Sequence, residues 1–250
     1  MKKILIIAIA LILSAGTIEA QKRNTANMPK ASSRNAQPLS SASANGETSS
    51  QVVAEPLKVI DSRQLPPVEV GLDRAFRETL MQRATIRQIS EEILPDEIIS
   101  SLLWSAYGIN RPDESKRVVP SACNVQEYDI YLFTNEGIYL YNAQKNSIEL
   151  VVKGDYRAEI STQKHFSVAP VSIVLVANYD RMKRFKETAD RDFYAAVDAG
   201  YISQNIYLFC SSADLATVAC GAIEREKLAK LLHISNGRVM LAHPVGMMAK

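Results

Sequence analysis

The sequence lacks the signatures of several common enzyme classes. Neither a P-loop nor a G-x-G-x-x-G stretch occurs, so the usual glycine cradle for nucleotide phosphates is missing. No G-x-S-x-G elbow is present, and nothing else indicates a serine hydrolase. The three histidines, His165, His233 and His243, have no ligand-like spacing to one another or to the cysteines, which argues against a metal site.

The net charge is close to zero, and the chain has few cysteines. The chain carries 29 basic and 27 acidic residues, a balance that gives no long-range attraction to nucleic acid or anionic lipid. Its three cysteines are Cys123, Cys210 and Cys220, and an odd number leaves at least one thiol unpaired within a monomer. We expect Cys210, on the apolar face of a predicted helix, to be a buried small hydrophobic residue.

The longest apolar run lies at the N-terminus. Lys2 and Lys3 precede ILIIAIALILSAG, and small or polar residues follow up to Ala20. This pattern predicts a secretory signal peptide over residues 1–20, and therefore export, to the periplasm. The run is short for a bilayer span, so no membrane span is expected after cleavage. An uncleaved N-terminal anchor is the alternative, because Ile18 stands where signal peptidases prefer a small residue.

Composition divides the rest of the chain into a linker and one folded domain. Residues 21–64 are mostly polar, rich in Ser, Asn and Ala, and predict a disordered or extended linker. From residue 65 to 250, helical periodicity at about 73–83, 94–108, 192–213 and 224–233 is mixed with strand patterns. This mixture predicts an α+β fold, with VSIVLVA (171–177), apolar on both faces, as a central strand.

Two motifs and one glycine could serve a ligand. In QRATIR, Arg83, Thr85 and Arg87 could offer two guanidinium groups and a hydroxyl to one phosphate, and a solvated helix end is the alternative. In PSACN, small residues would let the backbone approach a flat ligand, and an ordinary loop before a strand is the alternative. Gly200, inside a predicted helix, indicates either a close approach by another element or a tolerated packing residue.

Eight segments stand in order along the chain: QRATIR, LLWSAYGINR, RVVPSACNVQEYDIYLF, GIYLYN, GDYR, APVSIVLVA, DAGYISQNIYLFCSSADLATVACG and HPVG. Together they resemble the nitroreductase superfamily, and more narrowly its peptide azoline-oxidase-type (SagB/ThcOx-like) dehydrogenases. The resemblance covers residues 65–250. It implies a nitroreductase-like α+β fold, with a central, mostly antiparallel sheet surrounded by helices. It also implies an intertwined homodimer with FMN bound between the subunits.

The resemblance assigns cofactor-binding roles to four groups of residues. One group would hold the flavin phosphate and ribityl chain, and the next would border the isoalloxazine from the partner subunit. The third would face the flavin N5 edge through its backbone, and the last is a C-terminal cation for the phosphate. In that order the matching residues are Arg83, Thr85 and Arg87; Pro120, Ser121, Ala122 and Asn124; Ala219, Cys220 and Gly221; and Lys250.

The resemblance also implies the chemistry. NADH or NADPH would pass a hydride to flavin N5, and a nitro, quinone-like or other conjugated small molecule would then take its place and be reduced. The flavin carries this reaction, so no protein acid or base is required.

Three departures open other hypotheses. Ala84 stands where the family usually has a second basic residue, and Cys123 and Cys220 lie in the segments that flank the ring. Because of these departures, the alternative to an enzyme is a non-catalytic dimeric binding or scaffold protein that has weakened or lost FMN binding. A third hypothesis is an inter-subunit Cys123–Cys220 disulfide, which needs Cα atoms within about 7 Å.

Overall fold

A computed structural model describes residues 55–69 and 71–250, which all fall within one unit, Gln51–Lys250. The predicted signal peptide and most of the predicted linker lie outside the described residues. The last four linker residues form a strand, Asp61–Gln64, which pairs with Ser147–Leu150, so the paired structure begins just upstream of the boundary predicted at Leu65. No helix of the described chain is both long and apolar enough to cross a membrane.

The described residues contain nine strands. In chain order they are β1 (Asp61–Gln64), β2 (Ile109–Arg111), β3 (Lys116–Arg117), β4 (Tyr128–Phe133), β5 (Gly137–Asn142), β6 (Ser147–Lys153), β7 (Val171–Asn178), β8 (Leu215–Thr217) and β9 (Gly237–Met247). Seven of them form one sheet in the order β1-β6-β5-β4-β7-β9-β8, and every neighbouring pair is antiparallel. β2 and β3 form a separate two-stranded ribbon.

The helices are α1 (Phe76–Gln82), α2 (Asp96–Tyr107), α3 (Lys164–Val168), α4 (Thr188–Ser212) and α5 (Arg225–Leu231). α2 begins after Pro95 and ends at Gly108, as predicted from these two residues. α4, predicted over 192–213, begins four residues earlier in the structure. Helices and an antiparallel sheet in one domain confirm the predicted α+β class.

Alternation along the central strands builds a core on each face of the sheet. Ile173 and Leu175 of β7 pack with α2 and α4 on one face, whereas Val174 and Val176 pack with α3 and α5 on the other. All of these side chains are fully buried, and each contributes about 1.5–3 kcal/mol relative to an exposed position. The prediction that this strand is central is therefore confirmed.

Gly200 lies on an exposed face of α4. A Cβ added there would meet nothing within 4 Å in the described chain. Phe193, Val197 and Tyr201 share this face at helical spacing and are 62%, 38% and 46% exposed. Among the described residues no other element covers this position, so these three side chains form an exposed apolar stripe on α4, hereafter the α4 stripe.

Candidate flavin site

Tyr207 of α4 brings two of the predicted segments together. Its hydroxyl oxygen accepts a hydrogen bond from the Ala219 backbone N–H at 2.8 Å and lies 3.0 Å from the Thr85 hydroxyl oxygen. The Arg83 guanidinium carbon is 5.2 Å from the centroid of the Tyr207 ring, a cation–π arrangement. QRATIR and TVACG, far apart in the chain, therefore meet at one side chain. The sequence interpretation did not single out Tyr207.

The segment 85–90 then runs beside the C-terminal end of the chain. The Ala249 N–H donates a hydrogen bond to the Gln88 carbonyl at 3.0 Å. Continuing this antiparallel register by one residue in each direction sets Lys250 opposite Arg87. The terminus that carries Lys250 therefore runs beside the segment that carries Arg87.

Gly246 of β9 makes this close approach possible. A Cβ at that position would lie 2.7 Å from Ile89 Cγ2 and 2.7 Å from Pro170 Cδ, much closer than ordinary contact. The absence of a side chain lets Ile89 pair with Met248 in an antiparallel bridge. The missing side chain at Gly246 therefore allows the segment around Ile89 to lie against the end of β9.

Arg83, Arg87 and Lys250 form no ion pair with a carboxylate anywhere in residues 55–69 and 71–250. Together with the exposed Thr85 hydroxyl they offer several donors to one anion. A phosphate dianion forms its strongest hydrogen bonds with such charged donors. This edge of the domain therefore has the chemistry of a phosphate site.

The backbone N–H groups of the three residues predicted to face flavin N5 differ in whether they already have a hydrogen-bond acceptor. The Ala219 N–H is bonded to Tyr207, and the Cys220 N–H donates to the Ala242 carbonyl at 2.8 Å. Gly221 is exposed, and none of the hydrogen bonds found in the described chain uses its N–H. The nearest side-chain atom to a Cβ built at Gly221 is 3.8 Å away, so the position is open. Of the three predicted residues, Gly221 alone offers a free backbone donor.

Cys220 has a partner that its sequence context did not reveal. Its Sγ lies 3.5 Å from Nε2 of His165, which α3 carries to the same place. Burial raises the pKa of the Cys220 thiol, and the nearby Arg87 only partly offsets this. Burial, with help from Arg87, lowers the pKa of His165. Both groups therefore favour their neutral forms, and the pair lacks the thiolate that a nucleophile requires.

The His243 ring of β9 packs against the Tyr207 ring. The two rings meet edge to face with centroids 5.4 Å apart. The ring nitrogens of His243 contact the Ser203 hydroxyl at 2.9 Å and the Thr217 hydroxyl at 3.3 Å. Complete burial lowers the pKa of His243 to about 3, so the ring is neutral at physiological pH. It is a core histidine with satisfied hydrogen bonds.

The PSACN loop contacts α4 at a different point from the Tyr207 group. The Ala122 N–H donates to Asp198 Oδ2 at 2.8 Å, nine residues before Tyr207 on the same helix. That spacing corresponds to about 13 Å along the helix axis. Pro120, Ser121, Ala122 and Asn124 therefore stand apart from the Tyr207 group within one chain.

The loop has an uncommon backbone. Cys123 and Asn124 have φ of 53° and 54°, in the left-handed region that non-glycine residues occupy at a cost of about 1–2 kcal/mol. Ser121 closes the loop, because its hydroxyl accepts the Gln126 N–H at 3.0 Å and its carbonyl accepts the Asn124 N–H at 2.9 Å. Cys123 is exposed on this loop, and its inter-subunit disulfide with Cys220 stays a prediction. Cys210 is buried, as expected.

Comparison with known proteins places this geometry among flavoenzyme folds. A family model described as "Nitroreductase family" matches residues 80–247. A protein of Methanocaldococcus jannaschii named as a nitroreductase is 28% identical over 194 residues, which cover 73% of this chain and 94% of that protein.

Solved structures agree with the fold. A crystal structure of a protein from Ralstonia eutropha assigned as a nitroreductase is similar with a TM-score of 0.70 and 28% identity. The similarity covers 78% of this chain and 98% of that one. The NADPH:FMN oxidoreductase from Vibrio harveyi, solved with NAD⁺, has a TM-score of 0.54 at 18% identity and covers 70% of this chain and 69% of its own. At that identity the likeness concerns the fold alone.

Proposed function

Because the chain belongs to the nitroreductase family, whose members are FMN-dependent oxidoreductases, we propose that it binds FMN and works as an exported, homodimeric enzyme. Hydride would enter from NADH, NADPH or another donor and leave to a nitro, quinone-like or other conjugated acceptor. The order of its sequence motifs favours the SagB/ThcOx-like branch. Nicotinamide cofactors are scarce outside the cytoplasm, so export would favour a different physiological donor.

The group of residues around Tyr207 is the observation that carries this proposal. Arg83, Arg87 and Lys250 lack carboxylate partners in the described chain and would bind the FMN phosphate, with the Thr85 hydroxyl beside them. The free N–H of Gly221 would donate to the reactive edge of the ring. Bound FMN would supply the two-electron chemistry. The protein's part is to hold and orient it, which these donors are suited to do.

The separation of the PSACN loop supports the homodimer. The loop that the resemblance assigns to the ring stands about 13 Å along α4 from the Tyr207 group of its own chain. A second copy packed on the α4 stripe would cover Phe193, Val197 and Tyr201 and could bring its own loop to this site. Phe76 and Met81 of α1, 69% and 73% exposed, are further apolar side chains that a second copy could cover.

Flavin binding and turnover test the proposal directly. Purified protein should be yellow or should become so with added FMN, and it should then reduce a nitroaromatic or quinone with NADH. Arg87→Ala removes one charged donor, worth about 1.5–3 kcal/mol, and should raise the FMN Kd about 10- to 150-fold. Arg77→Ala, an exposed arginine of α1, is the matched control and should leave the Kd unchanged.

The alternative, a binding or scaffold protein without catalysis, predicts a different result. The structural observation behind this alternative is that Ala84 is exposed and offers no cation to a flavin. Folded protein that stays colourless and cannot be reconstituted with FMN would favour that alternative and end the enzymatic proposal.

A further inference from the structure

Two buried carboxyl groups lie beneath the PSACN loop, and the proposed function does not use them. Glu127, just before β4, is 0% exposed, and Asp198 of α4 is 3% exposed. Asp198 accepts the Ala122 N–H at 2.8 Å. The carboxyl groups of Glu127 and Asp198 are within hydrogen-bonding reach of each other. Glu127, Asp198 and the loop backbone therefore form one continuous chain of contacts.

This arrangement requires a proton. Neither carboxyl oxygen of Glu127 forms a well-aligned hydrogen bond with a donor among the described residues, although its own backbone N–H is near. Two buried carboxylates in contact with each other would repel unless one proton lies between them. Because the Ala122 N–H favours the ionised form of Asp198, the proton belongs on Glu127. Burial and the adjacent Asp198 raise the pKa of Glu127 to about 7.

The surrounding charged groups do not replace this proton. Arg181 lowers the pKa of Glu127 only in part, since its guanidinium is already bonded to Asp129 and to two backbone carbonyls. Arg117 lies behind the Tyr107 ring, its guanidinium carbon 4.0 Å from the ring centroid. The remaining titratable neighbours are phenols that stay neutral because burial raises their pKa: Tyr107, Tyr128 and Tyr179.

We propose that Glu127 is a positioning residue that holds the Pro120–Asn124 loop through Asp198, and that loss of its proton loosens the loop. Protonated Glu127 donates its O–H to Asp198, which in turn accepts the Ala122 N–H. Once Glu127 ionises, two buried negative charges face each other. Movement of Asp198 or entry of water relieves the repulsion, and either weakens the hydrogen bond to Ala122.

The consequence for the flavin rests on the proposed function, in which this loop borders the ring of the partner subunit. The pH dependence has a definite sign. The pKa of Glu127 is about 7 in the folded protein, above its ordinary value of 4.5, so the stabilising contact is present at low pH and is lost as the pH rises through about 7. The flavin site would then respond to the charge of Glu127, a residue that does not itself touch the flavin.

Amide hydrogen exchange at Ala122 tests the inference without flavin. The protection factor of the apoprotein should fall at least about tenfold between pH 6 and pH 8.5, since each pKa unit corresponds to a factor of ten. In Glu127→Gln the side-chain N–H can donate to Asp198 at every pH, so protection should stay constant. Glu97→Gln, an exposed residue in the first turn of α2, is the control and should follow the wild-type profile.

FMN affinity gives an independent measurement. The Kd of the wild type should rise by about tenfold over the same pH range, whereas that of Glu127→Gln should not change. If FMN never binds but Ala122 protection depends on pH, the proposed function fails while the role of Glu127 is supported.

A wild-type protection factor that does not vary with pH overturns the inference, even where FMN binds. If Glu127→Gln does not fold, Asp198→Asn replaces it. The amide of that variant can donate to ionised Glu127, and its Oδ1 can still accept the Ala122 N–H. Its protection should therefore be constant, and a wild-type-like profile in Asp198→Asn would also contradict the inference.

Discussion

Replacing Tyr207 by Phe removes one oxygen atom from the point where QRATIR meets TVACG. The ring remains, so its cation–π contact with Arg83 and its edge-to-face packing on His243 should persist. The Ala219 N–H loses its acceptor, and the Thr85 hydroxyl loses its neighbour at 3.0 Å. The substitution therefore separates the hydrogen-bonding role of Tyr207 from its packing role.

The expected loss of stability follows from the two contacts. A hydrogen bond contributes about 0.5–1.5 kcal/mol net, and leaving a buried N–H unpaired costs about 1–3 kcal/mol. Thr85 is exposed and Ala219 is only half buried, so water can replace part of each contact. We expect the free energy of unfolding to fall by about 1–2 kcal/mol, which for a domain of this size lowers Tm by about 2–8 °C.

The assay compares Tyr207→Phe with Tyr156→Phe in urea unfolding of the apoprotein. Tyr156 lies away from the α4 stripe, is half-buried, and makes no hydrogen bond through its hydroxyl within the described chain, so the loss of that hydroxyl should change the free energy of unfolding by less than about 0.5 kcal/mol. FMN affinity should also fall in Tyr207→Phe, because the Thr85 segment is no longer tied to Ala219. Equal stabilities for the two variants would refute the view that the Tyr207 hydroxyl joins these segments.

Three further predictions concern the support of the site. Gly246→Ala would place a Cβ 2.7 Å from Ile89 and Pro170, so it should destabilise the protein by about 1–3 kcal/mol in urea unfolding and weaken FMN binding; unchanged values would contradict the close approach. Val197→Asp puts a charge in the α4 stripe and should produce a monomer in analytical ultracentrifugation and lower FMN affinity, whereas an unchanged mass would remove this face from the proposed interface. The His243 ring signals should not titrate in NMR spectra above about pH 5, because burial lowers the pKa to about 3, and a midpoint near 6.5 would contradict its burial.

The elements of the fold could be predicted because their signals are local. Pro95 and Gly108 mark the two ends of α2, and the doubly apolar run 171–177 identifies the interior strand β7. The start of α4 could not be placed as well. The four residues 188–191 are mostly exposed and include no large apolar side chain, so no apolar period distinguishes them from a preceding loop.

The predicted site residues came from the order of motifs, and their contacts could not be read from the sequence. Tyr207 lies in one of the eight segments that resemble the family. Only the folded chain shows that its hydroxyl contacts Thr85 and Ala219. The Cys220–His165 contact joins residues separated by 55 positions, with no spacing rule to connect them. In the sequence, Glu127 is a polar residue between a loop and a strand. Its protonation becomes important only because folding buries its carboxyl group.

A single helix carries the supports of both predicted parts of the site. Asp198 holds the PSACN loop, and Tyr207, about 13 Å further along α4, contacts the segments proposed to bind the flavin phosphate and to face flavin N5. In a two-fold dimer packed on the α4 stripe, each helix would therefore support the phosphate end of one flavin site and the loop of the other. Any change that tilts or shifts α4, including ionisation beneath its first half, would then act on both sites at once. Coupling between the two flavins is thus expected to pass through α4 and its buried carboxyl pair rather than through contacts between the cofactors.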